Sequence, residues 1–188
     1  MRIISVASAA FVILLAPVSA QSYNRQRAVD YAWTYVWNPN TYFRAYSNDC
    51  TNFISQCMYA GGWSQVGFWW EYQSPNRWFF MLKQGPYPDS YTWVGAKHFE
   101  SFITRSGRGG LVSDWRQLRP GDVIVADWGP GAQAPGVADG VGDHVMIVVS
   151  TSSSDVLYAQ HSPNKVRTLS SVRAEMWRAK FWFYRIYD

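Results

Sequence analysis

The pattern of apolar residues changes midway along the chain, and this change constrains the fold more than any other feature of the sequence. In the first half, apolar residues recur at helical spacing and predict helices at residues 24–37, 51–60 and 91–105. In the second half, they form short β-branched runs between clusters of Gly, Pro and Ser. The predicted strands cover residues 123–127, 144–150, 156–160 and 181–187. Helices followed by an antiparallel sheet predict an α+β fold.

The length of the chain favours a single folded domain. It has 188 residues, of which 48% are hydrophobic and 16% are charged. A chain of this composition buries a core and is not disordered. Because compact domains commonly contain about 100–200 residues, a second full domain is not expected.

The first twenty residues have the pattern of a secretory signal peptide. Arg2 precedes an apolar run at residues 3–16, and the small residues that end at Ala20 are typical of a cleavage site. A run of about 14 apolar residues is shorter than the roughly 20 that a membrane-spanning helix requires. We therefore expect a signal peptide at residues 1–20 and a secreted mature domain at residues 21–188, without a membrane anchor after cleavage.

The charge of the chain indicates which partners it attracts. Seventeen Lys and Arg residues against 13 Asp and Glu residues give a formal charge of +4, and no run of five basic residues occurs. This balance favours an anionic surface and excludes the dense basic pattern of a nucleic-acid-binding protein. The aromatic content is 18%. Trp69, Trp70 and Trp78 are candidates for substrate binding, and core packing is the alternative role.

Two cysteines, Cys50 and Cys57, lie on the predicted helix at residues 51–60 or just before it. Seven helical residues span about 10.5 Å, whereas the Cα atoms of a disulfide lie about 5.5–6 Å apart, so two free thiols are expected. The start of a helix stabilises a thiolate, which makes Cys50 a candidate nucleophile with Asp49 as the helix cap. A small buried hydrophobic role is the alternative for Cys50, and it is the expected role of Cys57.

Two histidines mark the ends of predicted strands. His144 begins the strand at residues 144–150, where it can act as a general base. If this strand pairs with the next through the turn at residues 151–155, its start faces His161, which could orient the base. The chain has three histidines, and none has a partner at metal-ligand spacing, so no metal or other cofactor is expected. His98 is assigned to the core or surface.

Several sequence blocks resemble one known family. They are residues 23–25 (YNR), 47–56 (SNDCTNFISQ), 60–62 (AGG), 118–124 (LRPGDVI), 143–148 (DHVMIV) and 158–162 (YAQHS). In this order they resemble the putative amidase domain of secreted bacterial proteins, across nearly the whole mature chain. That family is similar to NlpC-type peptidases and CHAP amidases, which have a papain-like fold.

The resemblance implies roles for individual residues. Cys50 corresponds to the nucleophile, His144 to the base and His161 to a third residue that orients the base. The third position tolerates several polar residues in papain-like enzymes, so Gln160 is an alternative and Asn164 a more remote one. The family implies a papain-like cysteine hydrolase in which N-terminal helices pack on a small antiparallel sheet.

The residues and the resemblance together predict a secreted, monomeric cysteine amidase or peptidase. It would hydrolyse amide bonds through an acyl-enzyme, and its expected partner is peptidoglycan or another cell-wall polymer. One alternative is a non-catalytic module that binds carbohydrate or cell wall on the same scaffold. Another is a toxin-like cysteine protease. The sequence leaves open which amide bond is cut.

Overall fold

The computed structural model describes residues 22–129 and 136–188. The signal peptide expected at residues 1–20 lies outside this part of the chain. The same is true of residues 130–135, in the middle of the Gly- and Pro-rich segment that follows the second strand.

Five α-helices occur in the described residues. They are α1 (Arg25–Tyr35), α2 (Cys50–Ala60), α3 (Tyr91–Val94), α4 (Ala96–Arg105) and α5 (Leu169–Glu175). The predicted start of α1 is confirmed, because the Asn24 side chain accepts a hydrogen bond of 2.9 Å from the backbone N–H of Arg27. Among the helices described, none is both long and apolar enough to cross a membrane.

The single helix predicted at residues 91–105 is wrong, because the chain forms two helices that meet at Gly95. This glycine is extended, with φ −115° and ψ 125°, and its N–H closes α3 by donating to the Tyr91 carbonyl at 2.8 Å. A Cβ at this position would lie 3.1 Å from that same oxygen. The glycine therefore interrupts a pattern that is otherwise helical.

Six strands form one antiparallel sheet. They are β1 (Gly109–Val112), β2 (Val123–Asp127), β3 (His144–Thr151), β4 (Val156–Gln160), β5 (Lys165–Thr168) and β6 (Lys180–Ile186). Their order across the sheet is β1-β6-β2-β3-β4-β5. The α+β prediction is confirmed. The sequence analysis did not predict β1, β5 or α5. The two strands were missed because their sequences, GGLV and KVRT, lack a β-branched apolar pattern.

Both faces of the sheet are covered, which explains why the central strands are apolar throughout. On β2, Val123 and Val125 face the cluster that helices α1, α2 and α4 complete. Ile124 and Ala126 face the opposite cluster, to which α5 contributes Leu169. Burial on both faces replaces the alternating pattern of a half-exposed strand with a continuous apolar run.

A buried carboxylate joins α1 to the sheet. Asp122 accepts hydrogen bonds from Arg25 at 2.6 Å and from Arg185 at 2.9 Å. It also accepts the backbone N–H groups of Arg119 at 2.8 Å and Ile186 at 3.0 Å. These four contacts give Asp122 a structural role.

Candidate active site

Helix α2 is buried on nearly all sides and carries Cys50 into the interior. Nine of its 11 residues are buried, because the helix lies between α1 and the sheet strand β3. An amphipathic surface helix would leave one face in solvent, whereas this helix buries polar residues such as Asn52 and Gln56 together with its apolar ones. Cys50 is its first residue and is 2% exposed. The thiol therefore lies at the junction of a helix start and the sheet.

The surroundings of the Cys50 sulfur include the beginning of β3. Sγ lies 3.6 Å from Asn48 Oδ1 and 3.6 Å from Thr51 Oγ1. The backbone of Val145 on β3 is also near enough to lower the pKa of the thiol. Strand β3 pairs with β4 only from Ile147 onward. The first residues of β3 therefore extend beyond the part of this strand that pairs with β4. The start of α2 lies beside these residues.

Burial controls the protonation of the Cys50 thiol. It raises the pKa of Cys50, while hydrogen bonds from the Thr51 side chain and from the backbone of Val145 and Thr51 oppose it, and the Asp49 charge adds to the increase. The sequence predicted a thiolate stabilised by the helix start. Burial acts in the opposite direction to the helix start, because loss of solvent disfavours the charged thiolate. At neutral pH the resting group is a neutral thiol.

His144 is the first residue of β3 and is 3% exposed. Burial lowers its pKa to about 4, an effect that a hydrogen bond with the Gln160 side chain opposes. Its Nε2 is buried and has no hydrogen-bond partner among the described residues. A buried polar atom without a partner is rare in a protein interior and requires an explanation. A neutral imidazole with an unoccupied nitrogen has the properties of a general base.

Gln160 ends β4, the strand beside β3, and its side chain lies next to His144. The Gln160 Nε2 donates to the Pro163 carbonyl at 3.1 Å. The amide oxygen is therefore the end of the side chain that can accept an imidazole N–H. An acceptor in this place fixes which imidazole nitrogen carries the proton.

The side chain of His161 makes its contacts away from His144. The predicted contact between His144 and His161 is therefore absent from the described structure. His161 Nδ1 is 2.8 Å from Asp49 Oδ2, and its Nε2 is 3.0 Å from the Tyr35 carbonyl oxygen. Its ring stacks on Phe53 with centroids 3.9 Å apart. Neighbouring residues at a strand end point to opposite sides, and Gln160 takes the side of His144.

Asp49 precedes α2, as the sequence predicted, but its side chain does not cap the helix. The carboxylate instead accepts hydrogen bonds from Asn52 Nδ2 at 2.8 Å and from the Tyr46 N–H at 3.2 Å, besides its contact with His161. The sequence analysis missed this network. The sequence signal for it is the block 47–56, in which five polar residues surround Cys50 before the apolar part of the helix.

The tryptophans predicted to bind substrate have different environments. Trp69 and Trp70 are 40% and 61% exposed, whereas Trp78 is 0% exposed and donates its Nε1–H to Ser55 Oγ at 3.1 Å. Trp78 belongs to the core, so it is not a candidate for substrate binding.

Four exposed aromatic residues lie near one another, and we call them the aromatic patch: Phe68, Trp69, Trp70 and Tyr87. The ring of Phe68 stacks on that of Trp70 with centroids 4.8 Å apart, and the ring of Trp69 stacks on that of Tyr87 at 4.3 Å.

In the portion of the chain that the structure describes, no group of three or more His, Cys, Asp or Glu residues is placed to hold a metal ion. The two cysteines are free, buried and on the same helix. Cys57 is 0% exposed and lies in the core beside Phe53 and Met58.

The family model of the putative amidase domain matches residues 22–186, and the chain belongs to that family. This membership indicates an amidase-type hydrolase on an α+β fold. The predicted family is thereby confirmed. The likeness to NlpC-type peptidases and CHAP amidases, and the papain-like fold, stay predictions.

Two proteins of Bacillus subtilis (strain 168) are similar to the chain. The uncharacterized protein YhbB is 34% identical over 145 residues, which cover 73% of this chain and 40% of that protein. The uncharacterized protein YjcM is 31% identical over 152 residues, which cover 79% of this chain and 33% of that protein. The chain thus spans well under half the length of either relative. No solved structure matches the chain.

Proposed function

We propose that the chain is a secreted cysteine amidase or peptidase that hydrolyses amide bonds in bacterial peptidoglycan. The observation that carries this proposal is the meeting of α2 and β3. There the backbone of Val145 is near enough to lower the pKa of Cys50, and the preceding residue, His144, has a neutral imidazole whose Nε2 has no hydrogen-bond partner in the described part of the chain. A nucleophile and a base on adjacent elements are the requirement for covalent catalysis.

The reaction begins from the neutral thiol and the neutral imidazole. His144 Nε2 takes the thiol proton as Sγ forms a bond to the carbonyl carbon of the substrate. The carbonyl oxygen becomes an oxyanion, which the free N–H groups of the first turn of α2, that of Cys50 first, can stabilise. His144 then donates its proton to the leaving amine, and the C–N bond breaks.

The acyl-enzyme that remains is a thioester on Cys50. Water attacks the thioester carbonyl while His144 removes a proton from the water. The C–S bond then breaks, His144 returns this proton to Sγ, and the carboxylic acid leaves. A burial-lowered pKa of about 4 makes the imidazolium of His144 a ready proton donor to the leaving amine.

Gln160 is the residue that orients His144 in this proposal. Its side chain is close enough to the imidazole to raise the pKa of His144, and its amide nitrogen donates to the Pro163 carbonyl. His161 was the preferred third residue in the sequence analysis, but both of its nitrogens contact other residues. The alternative named there, Gln160, is therefore the one we propose.

The aromatic patch and the formal charge of +4 support a polymeric, anionic substrate such as peptidoglycan. Flat aromatic faces that remain exposed after stacking on each other are suited to contact with sugar rings or peptide. In this proposal Trp69 and Trp70 contact the polymer outside the catalytic centre. The same patch is the observation that favours the second candidate function, a non-catalytic wall-binding module.

Digestion of purified peptidoglycan, with mass spectrometry of the soluble products, tests the proposal. The account predicts new amine and carboxyl termini within the peptide or at its junction with the sugar, and no products from the His144→Gln variant. New sugar reducing ends without new amines would contradict an amidase. Sedimentation of the protein with peptidoglycan but no cleavage would support the binding module instead.

A further inference from the structure

The residue before the candidate nucleophile forms a buried pair with a histidine from a distant strand end. Asp49 Oδ2 lies 2.8 Å from His161 Nδ1, and the two side chains are 12% and 2% exposed. The other imidazole nitrogen, Nε2, is 3.0 Å from the carbonyl oxygen of Tyr35 on α1. The pair thus connects α1, α2 and the end of β4 beside Cys50.

The partners of His161 determine its protonation. A backbone carbonyl oxygen only accepts hydrogen bonds, so Nε2 must carry a hydrogen. An ionised carboxylate also only accepts, so Nδ1 must carry one as well. Asp49 has the surroundings of an ionised carboxylate, since Oδ1 accepts hydrogen bonds from Asn52 Nδ2 at 2.8 Å and from the Tyr46 N–H at 3.2 Å. An imidazole that donates a hydrogen from both Nδ1 and Nε2 is protonated, so His161 is an imidazolium.

We propose that His161 is a positioning residue that acts through Asp49: its imidazolium neutralises the carboxylate beside Cys50 and fixes the segment from which α2 begins. The inference rests on the proposed function only in taking Cys50 as the nucleophile. Two further contacts hold the same segment. The Asp49 N–H donates to Ser162 Oγ at 2.7 Å, and the His161 ring stacks on Phe53 of α2 at 3.9 Å.

The charge of this pair affects the neighbouring thiol. An unpaired carboxylate next to Cys50 would disfavour the thiolate, and the Asp49 charge already contributes to the raised pKa of Cys50. The titratable groups close to the pair are Cys50 on α2 and the phenol of Tyr31 on α1. Burial raises the pKa of Tyr31 and the Asp49 charge adds to the increase, so this charge is within reach of both helices.

A measurement of histidine protonation tests the first part of the proposal. The whole protein, labelled with nitrogen-15, is examined by NMR at pH 7.5, and the His98→Gln variant identifies the signals of His98, a half-buried residue remote from the pair. The proposal predicts that His161 has two protonated nitrogens and that His144 has one. A neutral His161 with a single protonated nitrogen would overturn the proposal.

The rate of Cys50 alkylation as a function of pH tests the second part. In His161→Gln, the unpaired Asp49 moves the profile to higher pH, so that labelling at pH 7.5 is slower by about tenfold for a shift of one pH unit. In the double variant Asp49→Asn/His161→Gln, the charge is gone and the profile no longer lies at higher pH than that of the wild type. His98→Gln is the matched control and leaves the profile unchanged.

A double variant whose profile still lies at higher pH than that of the wild type, or a His161→Gln variant with an unshifted profile, would show that His161 serves packing alone and would overturn the proposal. If His161→Gln does not fold, the NMR result on the wild-type protein decides. Neither measurement depends on hydrolysis. A protein that labels as predicted but leaves peptidoglycan intact would therefore contradict the proposed function and not the role of His161.

Discussion

The backbone of Val145, the residue that follows His144, lies close enough to the sulfur of Cys50 to lower the pKa of its thiol. This contact joins the first residue of α2 to the unpaired beginning of β3. It forms because α2 is buried against the sheet and because β4 pairs with β3 only from Ile147 onward. The candidate nucleophile and the candidate base therefore depend on the packing of two elements and not on a loop.

Thiol labelling should distinguish the two cysteines. We expect a thiol reagent at neutral pH to modify Cys50 much faster than Cys57, because Cys57 is 0% exposed in the core and burial raises its pKa well above the ordinary value. The rate at Cys50 should increase with pH, since burial also raises its pKa. Peptide mass spectrometry of timed samples measures both rates. Equal rates, or an intact mass two units below the reduced mass, would be inconsistent with two free thiols of different burial.

The stability of the protein should fall in mild acid because of His144. Its pKa is lowered from 6.5 to about 4, so the unfolded state takes up a proton between these values that the folded state does not. The free energy of unfolding therefore decreases as pH falls from 6.5 towards 4, and this contribution is retained above 6.5. Between pH 7 and pH 4.5 the loss amounts to about 2 kcal/mol.

Urea unfolding at the two pH values measures this effect. The matched variant His144→Gln cannot titrate at this position, so it should lose about 2 kcal/mol less than the wild type over the same interval. If both proteins lose the same amount, His144 is not the buried neutral group described above.

Replacing Gln160 should slow turnover without unfolding the protein. Gln160→Ala removes the acceptor that fixes the imidazole tautomer, and losses of about 10- to 1000-fold are expected for an orienting residue. Gln160→Glu retains an acceptor and should recover much of the rate, with a pH profile moved upward because a carboxylate stabilises the imidazolium. The measurement is the initial rate of amine release from peptidoglycan. A Gln160→Ala variant with wild-type turnover would remove Gln160 from the mechanism.

Asp122 should contribute strongly to stability. Its carboxylate is fully buried and joins Arg25 to Arg185, and removing one member of a buried ion pair costs about 3 kcal/mol or more. Asp122→Ala should therefore lower the urea midpoint markedly. Asp114→Ala, which breaks a surface pair with Arg116 at 3.2 Å, is the control and should change it little. Similar midpoints for the two variants would contradict the assigned role of Asp122.

The strongly patterned elements could be predicted from the sequence. Asn24 marks the start of α1, and the β-branched runs mark β2, β3 and β4 with nearly correct ends. The failures have local causes. Gly95 interrupts a helical pattern, and β5 has the polar sequence KVRT, which forms a strand only because β4 is available to pair with it. Such pairing depends on residues distant in the sequence.

The site could be predicted in part. The block around Cys50 and the position of His144 indicate the two residues that the structure places on adjoining elements. The choice between Gln160 and His161 could not be made from strand pairing, because it depends on which side of the strand end faces β3. The partner of His161 is Asp49, 112 positions away in the sequence, and this contact follows only from the tertiary packing of α1 and α2.

Hydrolysis of purified peptidoglycan by Cys50→Ala and Cys57→Ala tests the central claim most directly. Both variants lose one buried sulfur from the same helix, so each controls for the packing change in the other. With folding checked by circular dichroism, the account predicts that Cys50→Ala lowers the rate of amine release by about a thousandfold or more, whereas Cys57→Ala retains a substantial fraction. Equal losses in two folded variants, or full activity of Cys50→Ala, would contradict a mechanism in which Cys50 is the nucleophile.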